Sequence, residues 1–323
     1  MPIIQNSTYQ APFPFRNTHI NTIYTSLMRP TPALPYVRER VTTPDDDFID
    51  LDWLKVGSEK LLICVHGLEG HGRKHYVAWM MKRFNTEGYD AVSMNLRGCS
   101  GEDNRFLKGY HSGKSDDLDL IVKRILATEK YKEVVLIGFS VGGNITLKYA
   151  GEQGQNIPKE ISHIIAFSVP CDILASSYEF SKPKNFIYLK QFLISLKQKA
   201  RKKDKLFPNQ FDLESVLKAT NFFEFDDAFT APINGFKDAV DYYTKVRCLN
   251  VLDKIKPPTL LVNALDDTFL SPNCFPIELA KKMDNFYLEM PTHGGHLGFM
   301  KADTEGYLWT DWRAWEFVEG VRK

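Results

Sequence analysis

This 323-residue sequence has no marked excess of positive or negative charge and no long apolar run. Its 41 Lys and Arg residues are balanced by 40 Asp and Glu residues. A chain without a basic excess is poorly suited to the phosphate backbone of nucleic acids. No apolar run approaches the ~18 residues that a membrane-spanning helix requires. We therefore predict a soluble protein that does not bind nucleic acid.

Paired cysteines and a targeting signal are also missing. The cysteines are odd in number and widely spaced, and none belongs to a C-x-x-C pair; they are Cys64, Cys99, Cys171, Cys248 and Cys274. This distribution argues against a disulfide framework or a structural zinc site and suits a reducing compartment. The start of the chain has no early Lys or Arg, and prolines interrupt its apolar residues. We expect a cytoplasmic protein.

Common metal and cofactor motifs are absent as well. There is no G-x-x-x-x-G-K-[ST] and no G-x-G-x-x-G after a strand. His71 and His75 are four residues apart, but no H-E-x-x-H pattern or cysteine accompanies them. His111 and Asp116 have the spacing of an acyltransferase H-x4-D signature, for which capping of a helix start is the preferred interpretation. We expect neither a cofactor nor a metal ion.

What the sequence does contain is an alternation of short apolar runs and segments with helical spacing. The predicted strands cover residues 48–56, 61–65, 91–95, 134–139, 161–169, 259–264 and 286–290. The predicted helices cover residues 20–28, 74–86, 116–128, 141–150, 276–283 and 309–321. This order predicts an α/β fold, with a mostly parallel central sheet that helices cover on both faces.

The alternation stops between two of these strands, where residues 171–255 are helical and irregular. We interpret this block as a helical lid inserted into one core domain, which comprises residues 1–170 and 256–323. Within the core, residues 1–45 are expected to wrap the domain as coil with one short helix. The basic run at residues 197–205 indicates a solvated helix face; the alternative is peripheral contact of the lid with an anionic lipid surface.

The most specific motif lies at residues 138–143, which read Gly-Phe-Ser-Val-Gly-Gly. This G-x-S-x-G pattern directly follows a predicted strand and precedes a predicted helix. A serine on such a tight turn projects its hydroxyl above the sheet, where it can act as a nucleophile. The sequence therefore predicts Ser140 as a catalytic nucleophile in a strand-to-helix turn.

A serine nucleophile needs a base and an acid that orients the base, and in this fold class they follow the serine in the order acid, then His. His163 opens a buried strand, whereas His293 and His296 lie in the loop after the last strand. We favour His296 as the base. The preceding strand is followed by Asp266 and Asp267, of which we favour Asp266 because it is closer to the strand end.

The developing oxyanion needs two backbone N–H donors. One is expected from Val141, the residue after the nucleophile. The other is expected from the loop after the strand at residues 61–65, where residues 66–70 read His-Gly-Leu-Glu-Gly. We predict that Leu68 supplies it.

These segments together resemble the YheT-like α/β-hydrolases, which are related to animal α/β-hydrolase-domain lipases and yeast medium-chain ester synthases. The resemblance spans nearly the whole chain and rests on residues 16–23, 66–70, 95–102, 138–144, 263–267 and 293–299. It implies a triad of Ser140, Asp266 and His296, and esterase-type activity on acyl esters without a metal or cofactor. The animal relatives carry an N-terminal membrane anchor, and this sequence shows none.

We therefore predict a serine carboxylesterase, similar to lipases, that cleaves small acyl esters of short to medium chain through an acyl-enzyme. The same acyl-enzyme would serve an acyl-CoA:alcohol O-acyltransferase, which is the alternative. A non-catalytic ligand-binding protein on a hydrolase fold is the third hypothesis, and the complete set of motifs argues against it. We expect a monomer or a weak dimer.

Overall fold

The apolar runs of the sequence form one sheet in the computed structural model, which describes residues 2–321. Its strands are β1 Ile3–Ile4, β2 Val37–Thr42, β3 Phe48–Leu54, β4 Lys60–Val65, β5 Asp90–Met94, β6 Glu133–Phe139, β7 Ile161–Phe167, β8 Thr259–Val262 and β9 Phe286–Glu289. Their order across the sheet is β1-β9-β8-β7-β6-β4-β5-β3-β2. In this spatial order, all neighbouring strands from β1 across to β5 are parallel. Strand β3 pairs antiparallel with both β5 and β2.

Helices follow most of the parallel strands. They are α1 Thr18–Met28, α2 His75–Thr86, α3 Ser115–Leu126, α4 Val141–Gln153, α5 Ile173–Phe180, α6 Phe186–Leu206, α7 Leu213–Lys218, α8 Phe222–Phe225, α9 Ala231–Ile233, α10 Ala239–Val246, α11 Ile277–Lys282 and α12 Trp309–Val321. None of the helices in the described part of the chain is long and apolar enough to cross a bilayer.

Alternate side chains of the central strands point to opposite faces of the sheet, as strand geometry requires. Leu61, Ile63 and Val65 of β4 pack in the layer that contains α3 and α4. Leu62 and Cys64 pack in the layer that contains α2 and α12. Each fully buried side chain of this kind contributes roughly 1.5–3 kcal/mol. The prediction of a mostly parallel sheet covered by helices on both faces is confirmed.

The expectation of coil in the first 45 residues is wrong in two places, since β1 and β2 both lie there. β2 was missed because its sequence is charged rather than apolar. It is an edge strand, and Arg38 and Arg40 lie directly opposite Asp52 and Asp50 of β3. The Arg38 Nη2 to Asp52 Oδ2 distance is 2.9 Å, and the Arg40 Nε to Asp50 Oδ1 distance is 2.8 Å. Cross-strand ion pairs therefore take the place of apolar contacts at this edge.

Helices α5 to α10 lie between β7 and β8, and we refer to residues 171–255 as the insertion. Much of the insertion packs on an apolar cluster of its own. That cluster includes Phe180, Leu193, Phe225 and Phe229, and Phe269 joins it from the segment after β8. The insertion is thus held to the sheet domain partly by side chains that follow β8.

Several lysines of the basic run in α6 bind other parts of the chain instead of pointing into solvent. The Lys197 Nζ donates to two backbone carbonyls at the end of α7, at 2.8 and 2.6 Å. The Lys199 Nζ lies 2.7 Å from Glu69 Oε1 in the loop after β4. The Lys203 Nζ is directed into the loop after β5. This corrects the expectation of a solvated face, because these three ammonium groups hold the insertion together and against the core.

We expect substitution of Gly151 in α4 by Ala to destabilise the fold. A Cβ at this position would lie 2.2 Å from the Val251 carbonyl oxygen at the end of the insertion. The helix and the insertion would have to separate, so the free energy of unfolding should fall by about 1–3 kcal/mol in denaturant titrations.

Gly320→Ala in α12 is the matched control, because a Cβ there meets nothing within 4 Å. This variant should be neutral or stabilising by up to about 1 kcal/mol, since Ala favours a helix more than Gly does. Equal stabilities of the two variants would contradict the close contact between α4 and the insertion.

Candidate active site

Ser140 occupies the turn between β6 and α4, with φ of 52° and ψ of −119°. Such a conformation costs an L-residue on the order of 1–3 kcal/mol. A Cβ on Gly138 would lie 2.5 Å from the Gly142 carbonyl oxygen, and one on Gly142 would lie 2.3 Å from the Val65 carbonyl oxygen. Glycines at these positions therefore let β4, β6 and α4 approach closely enough to hold the turn.

The imidazole of His296 lies beside this serine. Its Nε2 is 2.9 Å from the Ser140 Oγ, and its Nδ1 is 2.9 Å from Oδ2 of Asp267, whose side chain is fully buried. Because a carboxylate can only accept, Nδ1 carries the hydrogen and Nε2 is left to accept the serine proton. The ring also packs on Phe269, with centroids 4.3 Å apart. Three side chains thus form one continuous hydrogen-bonded chain.

The carboxyl group in this chain belongs to Asp267, which corrects the sequence prediction of Asp266. The Asp267 N–H donates to the Ala264 carbonyl, and this turn directs the two adjacent side chains apart. Asp266 Oδ1 instead accepts a hydrogen bond from the Gly295 N–H at 2.9 Å, and its Oδ2 lies 3.5 Å from His293 Nδ1. Burial raises the pKa of Asp266. Closeness to the strand end was a poor criterion, because turn geometry decides which carboxylate faces the imidazole.

The two residues predicted to supply the oxyanion donors line the same cavity as Ser140. Leu68 and Val141 both line the cavity into which Ser140 opens. Val141 is the first residue of α4, where a backbone N–H has no partner within the helix. Neither N–H donates a hydrogen bond to any residue in the described range 2–321. Both donors are therefore free for a ligand oxygen.

A buried imidazole determines which way the Leu68 N–H points. His66 Nε2 accepts a backbone N–H from the loop after β5 at 3.0 Å, so its Nδ1 carries the hydrogen and donates to the Gly67 carbonyl at 2.8 Å. Burial lowers the pKa of His66 to about 4, which keeps the ring neutral. In a planar trans peptide the N–H points opposite to the carbonyl. The Gly67 carbonyl faces His66, so the Leu68 N–H faces away from it.

Helix α1 holds the loop that carries the imidazole, a role that sequence analysis missed. The Thr22 hydroxyl accepts a hydrogen bond from the His296 N–H at 2.9 Å, and the Asn21 Oδ1 accepts one from the Met300 N–H at 2.9 Å. A Cβ on Gly295 would lie 2.4 Å from Thr22 Oγ1. The only signal was the inclusion of residues 16–23 among the family-like segments, because these residue types form no chemical motif.

The insertion closes a cavity of about 130 Å³ over the serine. Ser140, His296, Leu68 and Val141 line it from the sheet domain. Side chains of α5, α6, α8 and α10 supply much of the remaining wall, and most of them are apolar or aromatic. The cavity therefore suits a small, largely apolar ligand.

The other histidines considered in the sequence lie outside the hydrogen-bonded chain. His163 in β7 has its Nδ1 3.0 Å from the neighbouring Ser162 hydroxyl. His111 accepts a hydrogen bond from the Gly113 N–H at 3.1 Å. Asp116 pairs with Lys114 rather than with His111. Within residues 2–321, no group of three or more His, Cys, Asp and Glu side chains could hold a metal ion.

Comparisons with a family profile and with individual proteins identify the same family. The sequence profile of the alpha/beta hydrolase fold matches residues 60–303. The chain is 30% identical over 292 residues to YheT of Escherichia coli strain K12, which is named as an esterase; the match covers 88% of this chain and 85% of YheT. It is also 30% identical over 291 residues to phospholipase ABHD3 of Mus musculus, covering 86% of this chain and 70% of that protein.

Solved structures show the same fold at lower sequence identity. The esterase Pf2001 of Pyrococcus furiosus superposes with a TM-score of 0.61 at 21% identity. The superposition covers 89% of this chain and 90% of the esterase. At this sequence identity, the similarity establishes the fold alone. The chemistry has to be inferred from the residues of the site.

We expect Asn21→Ala to loosen the loop that carries His296. The substitution leaves the half-buried Met300 N–H without its acceptor, at a cost of about 1 kcal/mol or more. Amide hydrogen exchange of residues 294–300 should therefore become about tenfold faster or more, while exchange in β6 and β7 stays slow. Asn250→Ala, at an exposed asparagine, is the control. Unchanged exchange in the loop would show that α1 does not hold it.

Proposed function

The chain belongs to the α/β hydrolase family, and we propose that it is a serine carboxylic-ester hydrolase for small acyl esters of short to medium chain. The observation that carries the proposal is the hydrogen-bonded chain from Ser140 through His296 to Asp267. The names of its relatives agree with ester hydrolysis, since YheT is named as an esterase and ABHD3 as a phospholipase.

In the proposed acylation step, the Ser140 Oγ attacks the ester carbonyl carbon while His296 Nε2 takes the hydroxyl proton. Asp267 keeps the hydrogen on Nδ1 and stabilises the imidazolium ion that forms. The Leu68 and Val141 N–H groups donate to the carbonyl oxygen as it becomes an oxyanion. The tetrahedral intermediate then collapses, the alcohol leaves with the proton from His296, and the acyl group stays on Ser140.

In the proposed deacylation step, His296 Nε2 takes a proton from water, which attacks the acyl-enzyme carbonyl. The same two N–H groups stabilise the second oxyanion. Collapse of this intermediate breaks the bond to Ser140, and the proton returns from His296 to the serine oxygen. The carboxylic acid is released and the enzyme is regenerated without a cofactor.

The size of the cavity supports the proposed chain length. Its volume of about 130 Å³ lies below the roughly 300–1,000 Å³ that is typical of pockets for drug-sized ligands, which favours a small substrate part. The predominantly apolar wall favours an alkyl chain over a sugar or a peptide.

We expect Ser140→Ala to abolish hydrolysis of p-nitrophenyl butyrate and octanoate, because the variant has no hydroxyl to form the acyl-enzyme. The rate constant kcat should fall by at least about 10⁴-fold. A fluorophosphonate probe should label the wild-type protein at Ser140 and should not label the variant. Ser58→Ala, in the loop between β3 and β4, should keep full activity and labelling. A Ser140→Ala protein that remains active would refute the proposal.

Substitution of the two adjacent aspartates should separate their roles. In Asp267→Asn, the amide can donate to His296 Nδ1 and favour the wrong imidazole tautomer, so kcat should fall by about 10⁴-fold. Asp266→Asn should lower kcat less than about tenfold, because that side chain contacts the loop rather than the imidazole. A larger loss for Asp266→Asn than for Asp267→Asn would reverse the assignment.

A further inference from the structure

The insertion contributes to the active-site cavity a carboxyl group that the proposed hydrolysis does not use. Asp226 lines the same cavity as Ser140 and His296, and part of its surface is open. Most of the surrounding wall is apolar or aromatic. In cavities of this kind, a few placed polar groups decide which ligand fits and how it is oriented.

Local backbone structure presents this carboxyl group to the cavity. Asp226 begins a π-helical turn, Asp226–Thr230, that joins α8 to α9. Such turns are rare and often occur at functional sites. The Tyr243 hydroxyl of α10 donates to Asp226 Oδ2 at 2.6 Å, and Thr230 is close enough to lower the pKa of the carboxyl group. These contacts hold the carboxyl group in one orientation.

Within residues 2–321, the Asp226 carboxyl group has a hydroxyl donor but forms no ion pair. Burial raises the pKa of Asp226 to about 6, and among the described residues only hydroxyl groups act against that rise. The group is therefore largely ionised at neutral pH. A carboxylate can accept about four hydrogen bonds, so acceptor capacity remains after Tyr243 has donated. A partly buried charge of this kind is stabilised by any ligand that brings a further donor.

We propose that Asp226 binds a hydroxyl group carried on the acyl chain of the substrate, so that the enzyme selects hydroxyacyl esters. The inference rests on the proposed function, since it assigns the substrate of the same site. The acyl chain is the part that stays on Ser140 after the alcohol leaves, so a carboxyl group that lines the same cavity as Ser140 can contact it in both steps. A hydroxyl is favoured over an ammonium group because it costs less to remove from water into a mainly apolar cavity.

The test compares matched pairs of ethyl esters across a series of acyl lengths. One member of each pair has a terminal hydroxyl, and the other has a methyl group in its place, so that the two are equal in size. The measured quantity is the ratio of kcat/KM for the hydroxyl ester to kcat/KM for the methyl ester. For the best chain length, this ratio should fall by about tenfold or more from wild type to Asp226→Leu.

Two further variants complete the comparison. Asp226→Asn removes the charge at nearly constant size and should give an intermediate ratio. Asp227→Asn is the matched control, because the Asp227 carboxylate lies outside the cavity and accepts the Ala239 N–H, which an amide oxygen can also accept. The control should retain the wild-type ratio.

A ratio that is the same in wild type, Asp226→Leu and Asp226→Asn would overturn the inference and leave Asp226 with a structural role. A preference for terminal amines, or for a hydroxyl on the alcohol part of the ester, would also overturn it. In these cases fluorophosphonate labelling of Ser140 and hydrolysis of the methyl-ended esters persist. Loss of both in the wild-type protein would instead refute the proposed function.

If Asp226→Leu does not fold, Asp226→Asn and Tyr243→Phe decide the question. Tyr243→Phe keeps the carboxylate and removes one of its donors. Its ratio should equal or exceed the wild-type value, because the substrate hydroxyl can take the vacated position. A Tyr243→Phe ratio as low as that of Asp226→Asn would count against the inference.

Discussion

The positive φ of Ser140 is the constraint on which the rest of the site depends. This conformation costs on the order of 1–3 kcal/mol and persists only where buried elements hold both sides of the turn. Strand β6 is buried along nearly its whole length before the serine, and α4 begins directly after it. Gly142 also lies against the backbone at the end of β4. The turn of Ser140 and the loop that follows β4 therefore share one close contact, and neither can shift alone.

The sheet domain contributes the hydrogen-bonded side chains of the candidate site, and the insertion contributes much of its cavity wall. The groups that form the candidate site lie on loops that follow β4, β6, β8 and β9, which are all carboxyl ends of parallel strands and meet at one edge of the sheet. Helix α1 then holds the loop of His296 from outside the sheet. The insertion adds no group to the hydrogen-bonded chain of Ser140, His296 and Asp267. It supplies about half of the residues that line the cavity, and the ion pair between Lys199 and Glu69 joins it to the loop that follows β4.

Much of the fold could be predicted because burial on both faces leaves continuous apolar runs in the central strands, and this signal is local. The apolar signal does not predict a strand whose pairing depends on interactions other than apolar burial. β2 has a charged sequence, and it becomes a strand only because Arg38 and Arg40 face aspartates of β3. β1 contributes only two paired residues, Ile3 and Ile4, which is too short for any periodic pattern. Both depend on partners elsewhere in the chain.

Ser140 could be located from the sequence alone, because glycines around a serine between strand and helix are a local steric requirement, and chain order pointed to the loop of His296. Which of the two adjacent aspartates meets the imidazole depends on the folded backbone, since hydrogen bonds in the turn set the side-chain directions. The tertiary structure also decided that Thr22 supports His296 and that Asp226 enters the cavity. Thr22 is far from His296 in the sequence, as Asp226 is from Ser140, and only packing brings each pair to the same site.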